Sequence, residues 1–167
     1  MTLHERLTIR PAMVNDLDVL TEFSAAMALE TEHRRLDKTR LRAGTQAVIE
    51  RPEHGRFYVA ELLTDGCPII VGQFLITYEW SDWRNAQFWW VQSVYVRPDW
   101  RRKGVYRRMH QLIESLARSQ PDVCGIRLYV ERDNETAKHV YERVGLHAAG
   151  YEVYESDFVL SKAPAGS

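Results

Sequence analysis

Apolar positions change their spacing several times along this chain. "LTIRPA" alternates briefly and predicts a short first strand. Met13, Leu17, Leu20, Phe23 or Ser24, and Met27 then recur at helical spacing, with Asn15 placed to cap the helix and Asp16 and Asp18 in its first turn. The polar stretch "ETEHRRLDK" interrupts that pattern. Asp37 can cap a second helix carrying Leu41, Val48 and Ile49, which Pro52 and Gly55 end. The middle is β-rich. "RFYVAELL", "IIVGQFLITYEW" and "AQFWWVQSVYV" are separated by the turn signals Asp65-Gly66 and "SDWRN", which predicts an antiparallel meander.

The order then changes. Val105, Met109, Leu112, Ile113 and Leu116 give one apolar helix face beginning near Gly104. "CGIRLYVE" reads as a strand, and strand–helix–strand predicts a parallel crossover. Asp133 or Asn134 starts another helix with Ala137, Val140, Tyr141 and Val144 on one face, closed by Gly145. "YEVYESDFVL" predicts a last strand or hairpin. The expected class is α+β: a mixed central sheet, made of an antiparallel meander plus a βαβ half, flanked by helices. One domain is expected over 1–161, with a flexible tail at 162–167.

Composition narrows the function classes. A net charge of -1 provides no global basic field for nucleic acid or acidic lipid, so an anion site must come from local clustering. No apolar run is long enough to span a bilayer, and "MTLHERLTIRP" has no apolar stretch of the secretory kind. Cys67 and Cys124 lack CxxC spacing. The expected location is the cytoplasm. The six histidines are scattered without metal-ligand spacing, so no metal is expected.

The local cluster is "RRKGVY". It sits between a strand and a helix, where the free N–H groups of a first helical turn favour an anion. Gly104 removes a side chain where a phosphate would approach the backbone. Arg101, Arg102 and Lys103 add charge, as do Arg107 and Arg108 one turn on. The stretch lacks both the Walker ending and the GxGxxG fingerprint. Taken alone, it reads equally well as a solvated basic helix start.

Its surroundings carry a resemblance. "VYV" at Val94 to Val96 is followed by "RPDW", then Arg101-x-x-Gly104-x-Tyr106, and later by "NETAKHVYERVGL". This resembles the GNAT acetyltransferase family, which carries Q/R-x-x-G-x-G/A between a strand and a helix, then an Asn-led helix bearing a Tyr. Tyr106 departs from the pattern, because the family places Gly or Ala there. The resemblance covers nearly the whole chain. It implies a GNAT-like sheet and acetyl-CoA as donor. The backbone of Val94, Tyr95 and Val96 would pair with the pantetheine arm, and the amides of Arg101, Arg102, Lys103, Gly104, Val105 and Tyr106 would hold the pyrophosphate. Asn134 would reach the pantetheine or phosphate region, an N–H near Val94 would stabilise the oxyanion, and Tyr141 would protonate the leaving thiolate.

The resemblance further implies an N-acetyltransferase acting by direct transfer on a small-molecule or protein amine. The strand "QFWWVQSVYV" has no acidic residue to serve as base. Candidates elsewhere are Glu30, Glu32, His33 and Glu79, each of which also reads as a solvated side chain. Glu30 and Glu32 are the candidates for lining the acceptor site, because the family's first helix–helix loop borders it. Trp83 is a candidate wall of an amine pocket, or a homodimer contact. One rival reading is a non-catalytic CoA-binding or regulatory module, suggested by the missing strand carboxylate. Another is nucleic-acid binding through residues 97–108, against which the charge balance argues.

Overall fold

The alternating runs pair into one five-stranded sheet in the computed structural model, which describes residues 7–160. The strands are β1 (Leu7–Pro11), β2 (Arg56–Thr64), β3 (Cys67–Ser81), β4 (Ala86–Val96) and β5 (Val123–Leu128), in that spatial order. The first four are antiparallel neighbours and β5 runs parallel to β4. Asp65 (φ 51°) and Gly66 (φ 79°) are both left-handed and turn the chain from β2 into β3, as a two-residue hairpin of strand-matching twist requires.

Helices α1 (Leu17–Glu32), α2 (Lys38–Glu50) and α3 (Val105–Ser119) cover this sheet. Pleating sends alternate residues to opposite faces. Phe57, Val59 and Leu75 pack with Leu20 of α1 and with Val48 and Ile49 of α2. Tyr58, Ala60, Val71, Phe74, Ile76 and Val91 pack with Val105, Met109 and Ile113 of α3. The apolar face read for α3 is therefore its buried face. Gly72 permits the close approach there: an added Cβ would stand 3.0 Å from the Tyr95 carbonyl and 3.3 Å from Met109 Sδ.

The helix starts differ from one another. Asp37 caps α2 as expected, accepting from Arg40 N–H at 2.7 Å. Asn15 does not cap α1. It lies inside a 3-10 turn, Val14–Asp16, and Asp16 is the residue that turns inward. Its buried carboxylate accepts from Met13 N–H at 2.7 Å and from Arg10 at 2.8 Å. Burial opposes charge on Asp16, but these bonds outweigh it and hold the carboxyl below its ordinary range.

The sheet and these helices belong to the first of two units, Met1–Glu131, and the second is Arg132–Ser167. Within the second unit lies α4 (Glu135–Arg143), opened by Asn134 Oδ1 accepting from Ala137 N–H at 3.0 Å. It closes with Gly145 at φ 91°, whose N–H reaches Glu142 O, while Leu146 N–H reaches Tyr141 O. The last strand or hairpin expected from "YEVYESDFVL" does not form, and Tyr154 and Phe158 stand exposed. Alternation stabilises a strand only where a neighbour supplies pairs, and among the described residues of this unit the regular element is a helix. The tail expected at 162–167 lies outside the described residues.

Candidate active site

The central feature is where β4 and β5 part. Their register ends at Val91↔Leu128, yet β4 continues through Gln92 to Val96. On its other side β4 stays paired with β3, but not evenly. Gln73 faces Tyr95 while Leu75 faces Gln92, so Ser93 and Val94 together oppose Phe74. That is a bulge, and Ser93 sits at φ 50° within it. Beyond Val91, β4 thus presents a one-sided edge ending at the basic loop.

A fully buried polar side chain holds the bulge. Gln73 Nε2 donates to Ser93 O at 3.3 Å and to Ser24 Oγ of α1 at 2.9 Å. Its Oε1 is buried with no partner among the described residues. Burying an amide incompletely paired costs free energy, and the return here is a fixed carbonyl in the bulge. Sequence reading missed Gln73. The available signal was one polar residue inside the apolar run "IIVGQFLI".

After β4, Pro98–Trp100 form a 3-10 turn, in which Arg101 N–H reaches Pro98 O at 3.3 Å. Arg102 at φ 59° and Gly104 at φ 86° are both left-handed. An added Cβ at Gly104 would meet nothing within 4 Å, so the space in front of this backbone is open. The first helical bond of α3 runs from Arg108 N–H to Gly104 O. The amides of the turn before it therefore lie where helix starts direct donors and positive potential at an anion. Residues 101–104 are exposed and Val105 is buried. The Tyr106 ring lies against His110, one turn on, with centroids 6.1 Å apart.

The predicted site residues divide accordingly. Val94, Tyr95, Val96 and the loop from Arg101 to Tyr106 are contiguous at the end of β4 and the start of α3. Glu30 joins them: Tyr95 Oη donates to its Oε1 at 3.1 Å and Arg101 Nη2 to its Oε2 at 2.6 Å. Glu32 and His33 lie at the exposed end of α1, where His33 is the left-handed C-cap at φ 52°. Trp83 is not brought near. It stands exposed at the β3–β4 turn, roughly 20 Å along β4 from Gln92 at strand rise. Asn134 and Tyr141 belong to the second unit. Burial pushes the Tyr141 phenol above its ordinary value, so it keeps its proton well past neutrality.

On the sheet face of α1, Glu79 is held by Arg127 at 2.7 Å and by Trp90 Nε1. The Arg127 guanidinium lies 3.7 Å from the Phe88 ring centroid, and Trp90 stacks on Tyr129 at 4.3 Å. Gly125 leaves room for Phe88, since a Cβ there would fall 2.7 Å from its ring. Both oxygens of Glu30, at the site end of β4, and of Glu79, opposite Phe88 in the doubly paired half, are engaged. Among the described residues no cluster has the makings of a metal site, and no helix is long and apolar enough to cross a membrane.

Comparison with known proteins agrees with this architecture. The sequence profile of the Acetyltransferase (GNAT) family matches residues 19–146. The chain belongs to that family. A solved structure described as a possible acetyltransferase from Clostridium difficile 630 is 35% identical, with a TM-score of 0.83 over 93% of this chain and 99% of that one. A predicted acetyltransferase with acetyl-CoA from Clostridium acetobutylicum shares the fold at 14% identity and a TM-score of 0.72, over 90% of this chain and 96% of that one. A ribosomal-protein-alanine N-acetyltransferase from Brucella melitensis biovar Abortus 2308 does so at 18% and 0.71, over 92% of this chain and 99% of that one. No curated protein matches in sequence.

Proposed function

We propose that this chain is an acetyl-CoA-dependent N-acetyltransferase that transfers directly to a primary amine of a small molecule or protein. The observation that carries the reading is the one-sided end of β4, Gln92 to Val96, running into an open helix start led by Gly104. An extended amide chain adds to such an edge as a further strand would, and a pyrophosphate suits the donors beyond it. Both requirements of the donor thus fit the residues present. A cytoplasmic location goes with the reading.

When bound, acetyl-CoA would supply the thioester whose C–S bond breaks as the neutral amine attacks its carbonyl carbon. The backbone near Val94 would offer an N–H to the charge growing on the carbonyl oxygen. Tyr141 would return a proton to the sulfur leaving group. Its phenol pKa, raised by burial, keeps that proton available through neutral pH, and the alkaline limb of the rate profile should lie above the ordinary tyrosine range. The proton released by the amine goes to water or to a base in the acceptor cleft.

A second reading is a CoA-binding module without transferase activity. It is favoured by the engaged state of Glu30 and Glu79, two of the candidate bases. Titration with acetyl-CoA followed by thermal shift, then thiol release across an amine panel, separates the two. Stabilisation with thiol release supports the transferase, and stabilisation without it supports the module. No stabilisation rejects both.

A further inference from the structure

We propose that Glu30 is a positioning residue: it holds Arg101 against the end of β4 and so sets the conformation of the loop from Arg97 to Gly104. The inference rests on the acetyl-CoA reading of that loop but has a readout that does not.

Four contacts converge on this pair. Arg101 Nε donates to the Val96 carbonyl at 2.8 Å, and Nη2 to Glu30 Oε2 at 2.6 Å. The guanidinium lies 5.3 Å from the Tyr95 ring centroid, and Tyr95 Oη takes the other Glu30 oxygen at 3.1 Å. Tyr95 is itself buried and packs on Phe23 of α1, centroids 5.0 Å apart. The arginine at the motif position therefore points back along the strand and onto α1. Glu30, two residues from the end of α1, links helix, strand and loop.

The surroundings give the link a purpose. Arg101 is followed by Arg102 and Lys103, with Arg107 and Arg108 one turn on. Lys103 is drawn over the Trp100 ring at 4.5 Å, and Arg97 pairs with Asp99 at 2.8 Å. Like charges packed this closely repel and favour an open loop. Arg102 is already left-handed, a conformation that carries a cost for a non-glycine residue. Neutralising Arg101 through Glu30 removes one cation from the crowd and fixes where the loop leaves β4. Arg101 then serves as a clasp, and the exposed cations after it face the anion.

This assignment makes a prediction opposite in sign to simple electrostatics. Removing a carboxylate beside a phosphate site should tighten polyanion binding. If Glu30 acts as a clasp, Glu30→Gln weakens it instead, by about threefold to tenfold in Kd for CoA, in keeping with a partly exposed pair. The rise in KM for acetyl-CoA should exceed any fall in kcat. Arg101→Gln and the double variant should lose no more than Glu30→Gln alone, because the pair acts as a unit. Equal or tighter binding in Glu30→Gln overturns the proposal, as does an additive double variant.

The independent readout is hydrogen exchange in the free protein. Amides from Arg97 to Gly104 should exchange faster in Glu30→Gln than in wild type, and unchanged exchange overturns the clasp. Should wild type fail to bind CoA at all, the function reading falls while the exchange result still decides the role of Glu30.

Discussion

The two halves of β4 make the most instructive comparison in the molecule. From Gln87 to Val91 the strand is paired on both sides, with β3 and with β5, and Phe88 and Val91 are buried. From Gln92 to Val96 it is paired on one side, interrupted by a bulge, and bounded by a charged loop. The same strand is scaffold in its first half and site in its second. The change occurs at the point where backbone groups stop being satisfied by the sheet.

If that division holds, substitutions in the first half should act on stability and those in the second on ligand and turnover. The largest expected effect is Val91→Ala. Removing two methyl groups from a site 3% exposed should cost about 2 kcal/mol in denaturant unfolding, with CoA affinity per folded molecule unchanged. A large affinity loss there would break the comparison. Gly104→Val comes next. A β-branched residue at φ 86° is strained by about 1–2 kcal/mol, which predicts roughly a tenfold weaker response to acetyl-CoA in calorimetry. Unaltered binding would show that the helix start is not the anion site.

Gln73→Met is smaller and sharper. It removes the donor to Ser93 together with the orphaned Oε1, so the two costs partly offset and the melting temperature should move little. The bulge should loosen, and kcat should fall about threefold to tenfold through lost orientation. A loss of stability with full kcat would make Gln73 a scaffold residue after all. The smallest effect is at the hairpin tip. Trp83→Ala should change kcat/KM and stability by less than about 0.5 kcal/mol. A marked rise in acceptor KM would restore Trp83 to the acceptor site, whereas a change in sedimentation would mark it as a contact between copies.

Much of the scaffold was legible because its signals are local. The Asp65-Gly66 turn, the Asp37 cap, the Gly104 start of α3 and the Gly145 stop each depend on a few adjacent residues. The site's outline was legible for the same reason, since strand end, glycine and basic loop are consecutive. Its shape was not. The bulge depends on Gln73 reaching across from β3 to meet Ser24 of α1, and no spacing along the chain announces such a meeting. The direction of Arg101 depends on Glu30, distant in sequence, and the remoteness of Trp83 depends on the length of a hairpin arm. The missing last strand failed for a different reason. Alternation states which face of a strand is apolar but does not supply the neighbour.

The bulge at Ser93 also bears on how the protein behaves in solution. An unpaired stretch of strand is a template on which another chain can polymerise, and flat apolar edges are the usual starting points. Ser93 at φ 50° twists this stretch away from the regular sheet plane, and the charged loop beyond it discourages a neighbour of like charge. The same irregularity that shapes a cleft for a narrow amide chain therefore makes the edge a poor match for a broad one. A variant that smoothed the bulge would lose more than turnover. It should be the form that precipitates on storage, and saturation with a ligand lying along that edge should keep it in solution.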